Sequence, residues 1–320
     1  MGKPQDTTSI LLFWLPVIAL SVSYLLHIFL PNSQLVSTTA NYSRLLLGVW
    51  LFYCAWAVGA CFYQSWRQSL CCHAPLATAV ITLLAFAEII TLKFNILPLP
   101  IFPSPVKILE AFSHDGLVLT ISVLYSLRLL FAGYLIGVVL GIPTGIMLGW
   151  HATFRYWVNP LVRIIGPIPA TAFIPIVLAV FPTSFSASVF LIVLCTWFPV
   201  TVMTWSGIAN VNKSYFEIAR TLGANEPYLI LKIALPAAMP MVFVGLFMGL
   251  GASFVTLIVA EMLGVKAGLG WYIQWAQGWG EYYKVYAALL LSAVLFSSII
   301  TLLFKVRDRV LVWQRGLLKW

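Results

Sequence analysis

The feature that most constrains this chain is the recurrence of apolar runs about as long as a bilayer is thick. A helix crossing hydrocarbon needs ~20 apolar residues, because the bilayer interior offers no partner to a free amide or carbonyl. Eight such runs can be drawn: Ile10–Leu30, Leu45–Tyr63, Leu76–Leu97, Ser122–Leu148, Tyr156–Phe181, Phe185–Trp205, Met239–Met262 and Tyr282–Phe304. Only 8% of the 320 residues are charged, against roughly 25% in a soluble domain. The chain therefore reads as an all-α polytopic membrane protein with about eight transmembrane helices. The fifth run carries Pro167, Pro169 and Pro175, and reads either as one kinked helix or as two half-helices.

The net charge of +9 would suggest nucleic acid in a soluble protein. Here the cations hold cytoplasmic loops in place, and no nucleic-acid partner is expected. With Lys305, Arg307, Arg309, Arg315 and Lys319 of the C-terminal tail inside, the N-terminus, Arg67, the His151–Arg155 loop and the 206–238 loop are inside as well. The outer loops keep Arg44, Lys93, Lys107, Lys266 and Lys284. Both termini are thus expected to be cytoplasmic. The first run follows Lys3 and is long enough to span, so it reads as a retained anchor rather than a cleaved signal.

Pro98, Pro100, Pro103 and Pro105 make an extended linker that breaks helix. It divides a three-span N-terminal extension, 1–97, from a five-span core, 98–320. Pro105–Phe112 reads as a short amphipathic segment on the outer membrane surface. In the fourth run Gly133, Gly137, Gly141, Gly145 and Gly149 recur every fourth residue, and Gly245, Gly249 and Gly251 echo this in the seventh. Such a groove lets another helix approach backbone to backbone, and packing within the chain is the expected use.

One passage is polar. Residues 213–236 carry Lys213, Glu217, Arg220, Glu226 and Lys232 in a chain with nine acids. Ser214 with Glu217 has capping-box spacing, predicting a short helix Tyr215–Leu222 that stops at a left-handed Gly223. Asn225 and Pro227 suit the start of a second helix. A short capped helix between two spans and outside the membrane is a place for something to dock.

Catalytic chemistry is not visible. The only Gly-Lys pair, Gly2-Lys3, has no phosphate-loop context, and there is no HExxH or GxSxG. His27, His73, His114 and His151 are scattered, and Cys54, Cys61, Cys71, Cys72 and Cys195 have no zinc spacing. No catalytic residue, metal ligand or cofactor is assigned to this chain.

The polar passage resembles a known motif. Glu217-Ile218-Ala219, three residues, Gly223, nine residues, then Ile233-Ala234-Leu235-Pro236 is similar to the Glu-Ala-Ala loop of permease subunits of bacterial type I ABC importers, with Ile218 for the first alanine. Phe102–Pro105, Ser126-Leu127-Arg128 with Gly133, Asn159-Pro160 with Pro167-Ile168-Pro169, Ala260–Gly264 and Gly268-Leu269-Gly270 resemble the nitrate, sulfonate, taurine and bicarbonate branch. The likeness covers about residues 98–315. It departs at Gly166, where relatives often carry an arginine.

The resemblance implies a five-helix importer permease core after a three-helix extension, in the bacterial inner membrane. It implies that Ser214, Glu217, Ile218, Ala219, Gly223, Leu235 and Pro236 belong to a coupling segment docked on a cytoplasmic ATPase. That partner would bind ATP and magnesium, a periplasmic or lipid-anchored binding protein would deliver a small oxyanion or sulfonate, and two permease copies would pair. Alternatives are a larger organic nutrient such as a vitamin precursor, a membrane scaffold that recruits an ATPase without transport, or a secondary transporter. Arg128, Thr171, Ser253, Thr256 and Glu261 are polar groups in or beside spans and are read as pathway candidates. Snorkelling of Arg128, pairing of Glu261 and back-bonding of the hydroxyls are their plainer roles. Glu88, in the third run, has no evident partner.

Overall fold

A computed structural model describes residues 7–34, 39–62 and 64–313; Lys3, Arg315 and Lys319 lie outside the described residues. Helices account for the secondary structure, with no strand among the described residues. Six helices are long and apolar enough to cross a membrane, and a bent pair makes a seventh if counted as one span. The first predicted span is occupied by α1 (Thr7–Phe29), whose described apolar stretch, Trp14–Phe29, is shorter. The predicted fifth span is corrected: it is two helices, α6 (Ala152–Ile165) and α7 (Ile174–Val180), bent by 86° across a 3₁₀ turn, Ala170–Phe173. Pro169 stands at the entry to that turn and Pro175 at the start of α7, where a missing amide costs nothing.

The chain forms two compact units. The first comprises Met1–Gly116 with Ala276–Ala287. Here α1, α2 (Ala40–Phe62) and α3 (Gln64–Glu88), which continues as a π-helical turn Ile89–Lys93, pack around Leu20, Tyr42, Leu46 and Leu92. α4 (Pro105–His114) follows the proline linker and adds Val106 to that core.

The outer ends of these helices are tied by polar side chains buried from both water and lipid. Glu88 meets His27 Nδ1 at 2.5 Å, and the other ring nitrogen lies 2.9 Å from Ser43 Oγ. The ammonium of Lys93 donates to the carbonyls of His27 and Leu30 and to Asn32 Oδ1 at 2.6, 2.8 and 2.8 Å. A cation on those carbonyls satisfies the C-terminus of α1 and opposes the negative end of its dipole. The Gln34 amide fixes the linker, donating to Phe102 O and accepting from Ser104 N.

The second unit comprises Leu117–Trp275 with Ala288–Trp320. Its core joins Leu129 and Leu130 of α5 (Gly116–Trp150), Ile192 of α8 (Ser184–Ala209) and Leu250, Phe254 and Leu257 of α11 (Leu235–Gly264). Phe254 stacks on Phe296 of α13 (Tyr282–Val310) at 4.0 Å. The α5 glycine row is seated on α8, within the chain as expected. A Cβ on Gly133, Gly137 or Gly145 would lie 2.6 Å from the Cβ of Ile192, Thr196 or Thr204, and one on Gly141 2.9 Å from that of Val200. A β-branched ridge repeating every fourth residue thus fills a glycine groove of the same period, bringing the two backbones into direct contact.

Candidate functional site

The polar passage folds as α9 (Lys213–Thr221), the short α10 (Glu226–Tyr228), a π-helical turn Leu229–Ala234 and then α11. One expectation is corrected. Asn212, not Ser214, caps α9: its side-chain oxygen accepts from the Ser214 amide at 3.0 Å. Asparagine is as good a cap as serine, and lying two residues earlier it starts the helix at Lys213 instead of Tyr215. Ser214 and Glu217 therefore sit inside α9, leaving Glu217 on the wall of a cleft of about 540 Å³ shared with Arg155, Lys213 and Arg220.

The helix ends as the sequence predicts. Gly223 has φ +84°, the Ala224 amide bonds to Ala219 O at 3.0 Å, and the Gly223 amide to Arg220 O at 3.0 Å. These are the two bonds of a Schellman motif. Asn225 then caps the next helix through Tyr228 N at 3.1 Å, with Pro227 in its first turn. Glu226 binds the segment down, accepting from Trp150 Nε1 at 2.8 Å and pairing with Arg220 at 3.2 Å.

α9 has two faces. Phe216 and Ala219 turn toward the protein, Phe216 edge-on to Trp150 at 5.4 Å beside Ile208, Ala234 and Ala238. Tyr215, Ile218 and Leu222 turn away and are exposed, Leu222 by 83%. With Tyr228 and Ile233 they line a cleft of about 610 Å³ that includes Gly223. Apolar residues at i, i+3 and i+7 make one helical stripe. An exposed stripe on a helix this polar marks a contact surface. Tyr215, Leu222 and Tyr228 were missed by sequence reasoning, although their spacing carried the signal. Leu235 and Pro236 open α11 and take no part in the stripe.

The pathway candidates are not brought together. Arg128 is exposed on α5, its guanidinium 5.0 Å from the Phe185 ring centre. Thr171 is half-buried in the 3₁₀ turn. Ser253 and Thr256 are buried in α11, Ser253 Oγ lying 2.7 Å from Thr196 Oγ1 of α8 and donating to Gly249 O. At Gly166 the Phe198 ring fills the space a side chain would need.

Glu261 is 1% exposed and fully engaged. Ser126 Oγ donates to its Oε1 at 2.7 Å and accepts from Leu269 N at 2.9 Å, while Gly270 N donates to Oε2 at 2.8 Å. The first amides of α12 (Leu269–Gly278) are therefore capped by a hydroxyl from α5 and a carboxylate from α11. Gly268, at φ +143°, passes where a Cβ would lie 2.5 Å from the Glu261 carboxyl carbon. Glu261→Ala strands both amide and hydroxyl partners, at ~1–3 kcal/mol for each group left unpaired. Thermal unfolding in detergent should fall clearly for Glu261→Ala and less for Glu261→Gln, which keeps an acceptor for Gly270 N. Equal midpoints for both variants and the parent would contradict the capping role.

Comparison with known proteins places this geometry. Residues 137–312 match the family described as binding-protein-dependent transport system inner membrane component. A probable ABC transporter permease protein of Brucella abortus (strain 2308) is 29% identical over 67% of this chain and 86% of its own. The putative aliphatic sulfonates transport permease protein SsuC of Bacillus subtilis (strain 168) is 32% identical over 59% and 66%. The bicarbonate transport system permease protein CmpB of Synechococcus elongatus is 30% identical over 58% and 65%. Among solved structures, an inward-facing MetNI methionine ABC transporter chain superposes with TM-score 0.52 at 20% identity, over 61% of this chain and 97% of that one.

Proposed function

Because the chain belongs to the family of binding-protein-dependent transport system inner membrane components, we propose that α9 is the segment through which a cytoplasmic ATPase drives it. The chain is a multi-pass permease subunit of an ABC importer, a transport component rather than an enzyme. Its partners are an ATPase and a solute-binding protein. The observation that carries the coupling role is the exposed Tyr215–Ile218–Leu222 stripe beside the Gly223 turn, on a helix anchored through Phe216 and Glu226. The ATPase buries that stripe, and its movement is passed to α11 and, through Trp150, to α5.

In this reading residues 1–97 are an extension to a permease core at 98–320, both termini are cytoplasmic, and two copies pair around the solute path. The cargo is a small oxyanion or sulfonate, supported by the likeness to the sulfonate and bicarbonate permeases. The Phe198 ring over Gly166 means that any anion is held without an arginine at that position. Cells lacking their own sulfonate and nitrate permeases should regain uptake of one of these anions when given this chain with its ATPase and binding protein. Uptake of neither class, with the assembly intact, would remove the cargo assignment.

A further inference from the structure

Within the first unit a groove of about 470 Å³ runs along the bundle, walled by Leu46 and Val49 of α2 and by Ala77, Val80 and Leu84 of α3, with Leu20 of α1 on its floor. Its lining is almost wholly apolar. At one end stands Tyr42, buried and edge-on to the His27 ring at 5.2 Å, so the His27–Glu88 pair closes the groove there. At the other end stands His73, exposed at the wet end of α3 with its Nδ1 committed to Ser69 O at 2.7 Å.

The size and polarity decide what fits. Three turns of helix, ~16 Å long and ~10 Å across, occupy on the order of 1,300 Å³, far more than the groove offers. Water needs 2–4 polar partners, and the stretch between Tyr42 and His73 supplies hardly any. A slot this narrow, this apolar and open along helices of bilayer length matches one flexible hydrocarbon chain.

We propose that the groove is a lipid site holding one phospholipid acyl chain, with the headgroup at the His73 end and the chain tip at Tyr42. The chain seals the seam between α2 and α3 that no side chain fills, and the extension carries this lipid as a fixed part of its packing.

The test uses the full chain in vesicles of phosphatidylethanolamine and phosphatidylglycerol, with a trace of phosphatidylethanolamine bearing a photoreactive diazirine in its acyl chain. After illumination, adducts on the purified protein are mapped by mass spectrometry. Adducts should concentrate on Val49–Trp56 and Leu76–Leu84. Ala77→Trp, and independently Val49→Trp, displace about two methylenes from the groove and should lower that labelling about tenfold. Leu83→Trp, on a lipid-facing position 67% exposed and outside the groove, should leave it unchanged. Labelling spread evenly over Leu83 and the groove, or undiminished in both filling variants, would overturn the proposal. So would a crosslink joining two copies through α2 and α3, which would make a protein the occupant.

Discussion

Gly137→Ile should abolish recovery of folded permease. A Cβ there meets Thr196 Cβ at 2.6 Å, Thr196 Cγ2 at 2.9 Å and the Val193 carbonyl oxygen at 3.1 Å. The first two are branched side-chain atoms and the third is backbone, so none is the free end of a flexible group. Overpacking in a close-packed interior costs typically ~1–3 kcal/mol. Three further carbons beyond Cβ, pressed between two helices that already touch along their backbones, place this variant at the top of that range or above. Gly137→Ala should be the graded case, with a lowered unfolding midpoint but recoverable protein. Gly48→Ile is the control, since nothing lies within 4 Å of a Cβ on that α2 glycine. Monodisperse recovery in detergent and the unfolding midpoint read the result. A Gly137→Ile protein as stable as the control would mean that the glycine groove is not what holds α5 on α8.

Gly223→Asp should leave the permease inserted and folded yet uncouple it from its ATPase. The two costs of this substitution separate cleanly. Within the chain an aspartate pays for φ +84°, ~1–2 kcal/mol for a residue with a Cβ in the left-handed region, and it meets no atom within 4 Å. The fold should therefore survive. The added carboxylate, however, projects from the turn that lines the Tyr215–Ile218–Leu222 cleft, the surface assigned to the ATPase. Copurification of the ATPase and binding-protein-stimulated ATP hydrolysis should fall about tenfold or more, the change that ~1.4 kcal/mol gives. Unimpaired assembly would remove α9 as the docking element, whereas loss of the folded permease would show that strain alone decides.

What was legible in the sequence follows what single residues can signal. The period-four glycines announced a close helix contact, but not its partner. The matching ridge, Ile192, Thr196, Val200, Thr204 and Ile208, is buried in a run so uniformly apolar that its period does not stand out. Prolines 167, 169 and 175 signalled a break, while its angle of 86° depends on packing that no local pattern encodes. The Gly223 turn and the Asn225 cap were local and came out as read. The first cap did not, because Asn212 and Ser214 are equivalent signals two residues apart and the competing capping box favoured the later one.

Side-chain direction was the larger gap. Glu88 seemed partnerless because His27 is 61 residues away on another helix. Ser253, Thr256 and Glu261 were recognisable as polar groups in an apolar span, but α11 is apolar on every side and gives no clue to which face is inward. The structure commits Ser253 to α8 and Glu261 to the start of α12.

The central claim is that this chain turns partner ATP hydrolysis into inward movement of a solute through α9. The direct measurement is uptake into vesicles holding the permease and its ATPase, with binding protein and a labelled sulfonate or oxyanion supplied at the binding-protein face. ATP-dependent accumulation that vanishes in Gly223→Asp is the predicted result. Stimulated ATP hydrolysis without any accumulation, or accumulation driven by an ion gradient in the absence of ATP, would contradict it.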